Sequence, residues 1–188
     1  MTISEIFSHL SEHIIEGLMT HSQLSDYFYF LGLDGYGKCH KYHYLDENIN
    51  YKKLNYYYIH HYNKLIEETP FKNPSVIPST WYQYSRQDVD KNTRKDAIKT
   101  GFNKWVEWEI KTKTLYETMY QELININEIA AAKELSNYIK DVDEELAMAQ
   151  QKLLELTAID FNISDIMQEQ KALYKKYTKK MRETVCSL

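Results

Sequence analysis

TPFKNPSVIPSTWYQYSRQDVD, residues 69–90, decides how the rest of this chain is read. It holds all three prolines, Pro70, Pro74 and Pro78, with Ser75, Ser79 and Ser85 among them. Proline removes a backbone donor and clashes with the helix interior, so neither flanking helix extends through this stretch. A connection this long inside a compact chain needs a reason. A crossover running the length of a helical bundle supplies one, because it joins two helices that point the same way. Trp81, Tyr82 and Tyr84 are placed to pin it to the outside of the bundle.

Working outward, the preceding chain divides at Gly32, Gly35 and Gly37. Ile3, Phe7, Leu10, Ile14, Gly17, His21, Leu24, Phe28 and Leu31 recur in steps of three and four, one face of a helix. Gly32 is a good stop for it, and the short turn that follows predicts an antiparallel return. The returning helix places Tyr36, Cys39, His43, Glu47, Asn50, Leu54, Tyr57, His61 and Leu65 on one, much more polar, face. The aromatic run Tyr56-Tyr57-Tyr58 suits a strand, but the period and length around it predict helix. After Pro78 there is no further proline and only one glycine, Gly101. Ile98, Phe102, Trp105, Glu109, Thr112, Tyr116, Met119 and Leu123 mark the inner face of a third helix. Ala131, Leu135, Tyr138, Val142, Leu146, Ala149, Leu153 and Leu156 mark a fourth. FNISDIMQEQKALYKKYTKKM adds a fifth, with Asn162 or Ser164 as its N-cap. The expectation is one all-α domain over 1–188: a bundle over about 3–157 and a C-terminal helix over about 162–185. Two antiparallel hairpins joined by one long crossover is a known connectivity of four-helix bundles.

Composition bounds the function classes. The 188 residues are 43% apolar and 27% charged, with a net charge of −4, which carries no nucleic-acid signature. Cys39 and Cys186 lie far apart and form no disulfide framework, so a reducing, cytoplasmic setting is expected. The start MTISEIFSHL lacks a basic leader followed by an apolar run, and no apolar run reaches the length of a membrane span. Neither a phosphate-binding glycine loop, a nucleophile elbow nor His-Glu-x-x-His is present. Tyrosine is abundant at 17. Tyr27, Tyr57, Tyr116 and Tyr138 are read as core filling, with a hydrogen-bonded network or redox relay as the alternative.

Several short stretches, in order, resemble bacterial ferritins over most of the chain. Gly32-Leu33-Asp34-Gly35-Tyr36-Gly37-Lys38 is similar to that family's first turn, and it leads into Asp46-Glu47, Leu54, Tyr57 and Ile59. Pro78-Ser79-Thr80-Trp81 resembles the end of its crossover. Phe102 to Glu109 and Lys140-Asp141 to Glu144-Glu145 resemble its third- and fourth-helix metal segments. The resemblance implies a ferritin-like four-helix bundle, a metal ion (iron, with manganese as the alternative), Fe(II) oxidation by dioxygen, and assembly into a homo-oligomer. It carries Glu47 to a bridging carboxylate, Glu109 to the third-helix ligand, and Asp141 and Glu144 to the fourth helix. It meets Asn50 where the family has histidine, which weighs against efficient oxidation. At the first-helix ligand position a gapless register from Gly32 finds Ile14, leaving Glu16, His13 or His21 as substitutes. His21 lies on the core stripe and Glu16 does not lie squarely on it.

Read without the family, carboxylate pairs at i, i+3 spacing put two ligands on one helix face, and imidazole adds a directional nitrogen donor. Glu109 shares a face with Phe102 and Trp105, and a buried carboxylate needs a partner: a metal, His21, His43 or a tyrosine hydroxyl. His21, His43 and His61 are placed on inner faces, and His21, His43, Glu47 and Glu109 form a candidate cluster. Each histidine alone reads equally as a neutral core residue. His40-x-x-His43 and His60-His61 read as surface spacings. Two functions stand: a ferritin-like metal-binding protein, and a non-catalytic scaffold with a degenerate site and no cofactor, acting through oligomerisation or partner binding.

Overall fold

The computed structural model describes residues 1–67 and 74–186. Five α-helices carry the fold: α1 (Ile3–Phe30), α2 (Asp34–Tyr62), α3 (Lys91–Asn125), α4 (Ile129–Ala158) and α5 (Ile163–Cys186). No strand occurs among the described residues. Pro70 lies outside them. The rest of the crossover contains a short 3-10 helix, Ser79–Gln83, entered from Pro78. Trp81 does pin it, meeting Tyr27 and Phe30 edge-on at 5.9 and 6.3 Å between ring centroids, while Tyr82 is 74% exposed.

The helix ends are built locally. Thr2 and Glu5 form a capping box on α1, Asp90 accepts from Asn92 N and Thr93 N on α3, and Asn162 caps α5 through Ser164 N. At the end of α1, Gly32 takes φ 77°, and Leu33 N donates to Phe28 O at 2.8 Å and Gly32 N to Tyr29 O at 3.0 Å. That is a Schellman stop. The same pair of bonds closes α3 around Asn127 and α4 around Asp160, both left-handed without glycine.

Contacts along the helices give their directions. His21 meets His40, and Phe7 meets Tyr58, so α2 runs antiparallel to α1. Tyr27 meets Ala97, and His13 meets Thr112, so α3 is also antiparallel to α1 and hence parallel to α2. His43 meets Glu145, and Tyr62 meets Glu128, so α4 opposes α2. The crossover therefore joins parallel helices, as its length predicts.

α5 lies against α2 and runs parallel to it. Gly35 N donates to Gln170 Oε1 at 2.9 Å, Tyr36 Oη donates to Glu169 at 3.2 Å, and Tyr42 meets Tyr177 at 5.7 Å. Lys152 of α4 pairs with Glu169, so α5 spans the seam between α2 and α4. Ile166 and Tyr177 are buried there.

The inner faces of α1 and α3 are as the sequence predicts, apart from a half-buried Ile3. On α2 the outcome differs. Tyr58 is buried, Tyr57 is half-buried, and His61 and Leu65 are exposed. The helical period takes a step of four after Leu54, and α2 ends at Tyr62 with Asn63 left-handed, so Leu65 lies beyond it. His61 is thus not an inner-face residue. On α4, Leu146 and Leu153 are half-buried.

Candidate metal centre

The apolar core is in two parts. One surrounds Leu24, Phe28, Tyr36, Ile98 and Phe102 at the end near the α1–α2 turn. The other surrounds Phe7, Leu10, Leu54, Met119 and Leu135 at the far end. Between them lies a polar layer of His21, His40, His43, Glu47, Glu109 and Glu145. Placing six ionisable groups at mid-bundle opposes folding unless each is paired, neutralised or bound to something.

On α2, His40, His43 and Glu47 fall at i, i+3 and i+7, so one face presents two imidazoles and a carboxylate. His40 is 0% exposed, which overturns its reading as a surface histidine. The His21 and His40 Nδ1 atoms stand 3.2 Å apart, one donating and one accepting. His21 Nε2 is 3.8 Å from Glu109 Oε1, and Trp105 Nε1 donates to that oxygen at 2.9 Å. His43 Nδ1 donates to Glu145 Oε1 at 2.9 Å. Three of the layer's ligating atoms have no hydrogen-bond partner among the described residues: Glu47 Oε2, His40 Nε2 and His43 Nε2. A cavity of about 20 Å³ adjoins His43, Glu47 and Glu145, with Asp141 and Asn50 also on its wall. That is room for about one water-sized body.

The electrostatics keep most of the layer neutral. Burial, with Glu145 and Asp46 nearby, pushes the Glu47 carboxyl up to about 8. Burial raises Glu109 well above the usual carboxylate range. Burial likewise holds His21 down at about 3 and His40 well below its ordinary value. His43 and Glu145 are the exception. Burial disfavours both charges, but each partner's charge outweighs it, raising His43 well above and holding Glu145 below its usual value. One ion pair therefore sits among protonated carboxyls and neutral imidazoles.

Of the residues expected from sequence, the fold brings Glu47, Glu109 and His21 into this layer. Asp141 reaches its rim from an exposed position, and Glu144 is exposed outside it. Glu16 pairs with Lys111 at 2.5 Å, away from the layer. His13 stacks on Trp108 at 4.7 Å and bonds Thr112 at 2.9 Å. Thr112 gives its own proton to the Trp108 carbonyl, so His13 Nε2 is the donor. The α1 residue that faces Glu47 is neither Ile14 nor an acid but Gly17, where a Cβ would stand 2.9 Å from Glu47 Oε1. Sequence reasoning missed Glu145. From Val142 to Ala149 is two helical turns, and positions 145 and 146 fit the inner face equally; the apolar Leu146 drew the assignment. Among the described residues, no group of three or more His, Cys, Asp or Glu is pre-arranged around a metal position.

No protein-family model matches the chain, and no curated protein sequence matches it. Solved structures do. A humanized archaeal ferritin superposes with a TM-score of 0.75 at 15% identity, covering 91% of this chain and 94% of that one. A ferritin of Archaeoglobus fulgidus engineered to a closed form gives 0.75 at 16% identity, covering 93% and 96%. The open-pore ferritin of the same hyperthermophilic archaeon gives 0.74 at 16%, covering 90% and 93%. With two hairpins, one crossover joining parallel helices, and a polar layer at mid-bundle, this chain has the ferritin-like four-helix-bundle fold, carrying a fifth helix against α2.

Proposed function

We propose that the polar layer binds a divalent metal ion, with iron as the first candidate and manganese as the alternative. Glu47, Glu109, Glu145 and His43 would hold it, with His21 and His40 packed behind. The observation that carries this reading is the set of unpartnered ligating atoms, Glu47 Oε2, His43 Nε2 and His40 Nε2, buried in a layer that interrupts the apolar core. A structural network would spend those atoms on one another. Mixed carboxylate and imidazole donors suit iron, manganese and zinc. The solved neighbours are ferritins, which favours iron. Iron bound there would supply one-electron exchange with dioxygen.

The chain's own part is to move protons and turn side chains. Glu47 and Glu109 are protonated without metal, so binding must release protons to form carboxylates. His43 must give up the proton on Nε2 for that nitrogen to donate a lone pair, while its Nδ1–H stays bonded to Glu145. Relative to the ligand set implied by resemblance, nitrogen moves from position 50 to His43, about two helical turns nearer the α1–α2 turn. α1 contributes space through Gly17 instead of a carboxylate. Assembly into a homo-oligomer belongs to the same proposal.

The test is elemental analysis of protein made without a histidine tag, before and after anaerobic Fe(II), with its mass in solution and the protons released. Near-stoichiometric metal, lost in Glu109→Gln while the helical content stays, is the expected result. Protein that takes up no Fe(II) and releases no protons would sink the metal reading and favour the scaffold.

A further inference from the structure

We propose that the cleft between α2, α4 and α5 captures a hydrated divalent cation and admits it to the polar layer, an inference that rests on the metal reading above. The cleft is a cavity of about 320 Å³, opening to solvent between α2, α4 and α5. Its mouth carries Asp46, Asp141 and Glu144. Its floor is His43 and Glu145, and both also wall the inner cavity of about 20 Å³ beside Glu47. Asp46 and Asp141 wall both as well, so the two cavities meet at four shared side chains. His43 is 3% exposed, and its Nε2 has no hydrogen-bond partner among the described residues, so a buried, unpartnered ring nitrogen stands at the junction.

The charges at the mouth are free to act on a cation. Asp46, Asp141 and Glu144 form no ion pair among the described residues. The facing lysines of α5 lie on aromatic rings instead: Lys176 is 5.3 Å from the centre of Tyr177, and Lys180 is 4.9 Å from that of Tyr42. Sizes order the steps. The outer cleft has room for an ion with its waters, while the inner cavity holds about one water-sized body. A cation therefore arrives hydrated at the carboxylates and exchanges water for protein ligands as it passes His43 and Glu145. α5 makes this cleft: without it, the carboxylates of α2 and α4 would face open solvent, where screening weakens steering.

Stopped-flow uptake of Co(II), followed by its visible absorption at low ionic strength, tests the passage in the full chain. Asp46→Asn/Asp141→Asn/Glu144→Gln should bind the same final amount at least about ten-fold more slowly, as expected when a steering field is removed. Added salt should narrow the gap. Lys176→Glu/Lys180→Glu should speed uptake several-fold with the same endpoint. An unchanged rate in the triple variant overturns the passage, and so does a reduced endpoint, which would make these carboxylates ligands. No uptake by the wild-type chain overturns the metal reading itself, and the passage with it.

Discussion

Replacing Gly35 with alanine should loosen α5 from the bundle. In an exposed helix this change stabilises by about 1 kcal/mol, because alanine is the better helix former. Here a Cβ would stand 2.1 Å from the Gln170 carbonyl oxygen and 2.9 Å from its carbon, both backbone atoms of α5. Backbone cannot swing aside, so α5 must retreat as a body by roughly the shortfall from ordinary contact, about 1 Å. The bond from Gly35 N to Gln170 Oε1 at 2.9 Å then fails, a loss of about 1 kcal/mol. Forced packing adds about 1–3 kcal/mol. The clash outweighs the propensity, leaving α5 about 1–3 kcal/mol less firmly docked. Gly37→Ala is the control. The atoms nearest its Cβ would be those of the Tyr29 ring, 2.8 Å away, and that half-buried side chain can turn. Hydrogen exchange of α5 amides should therefore quicken about 5- to 150-fold in Gly35→Ala and change little in Gly37→Ala. Equal protection of α5 in Gly35→Ala and wild type would refute the docking argument.

Two further outcomes follow from the structure. Glu47→Gln should stabilise the metal-free protein, and more so as pH rises. The Glu47 carboxyl is raised from 4.5 to about 8 on folding, so the native state holds its proton longer, and stability falls between those values. The gain should be near zero at pH 4 and on the order of 3 kcal/mol at pH 7. Urea midpoints at the two pH values measure it, and a gain independent of pH would contradict the burial of an ionisable Glu47. Asn127→Gly should raise stability by roughly 0.5–1 kcal/mol, because Asn127 holds φ 61° at the α3 stop. A thermal midpoint that falls instead would show the asparagine side chain to be supporting the turn.

Sequence alone determined the helices and their order. Period, caps and breakers are local properties of the chain. The glycine after Leu31, the Asn162 cap and the proline-marked crossover were therefore legible, and so were the buried faces of α1 and α3. Glu109 was legible as a buried carboxylate because Phe102 and Trp105 bracket it on one face. What lay beyond the sequence depended on how helices meet. Each residue turns a helix by about 100°, so whether Glu144, Glu145 or Leu146 faces inward is set by how α4 seats against α2. The depth at which α1 meets α2 is set by packing, which put Gly17 opposite Glu47. His40 looked like a surface residue until α1 supplied His21 and α3 supplied Trp105 on its two sides. The close seating of α5 includes an approach of two backbones at Gly35, a distance no pattern along a single helix encodes.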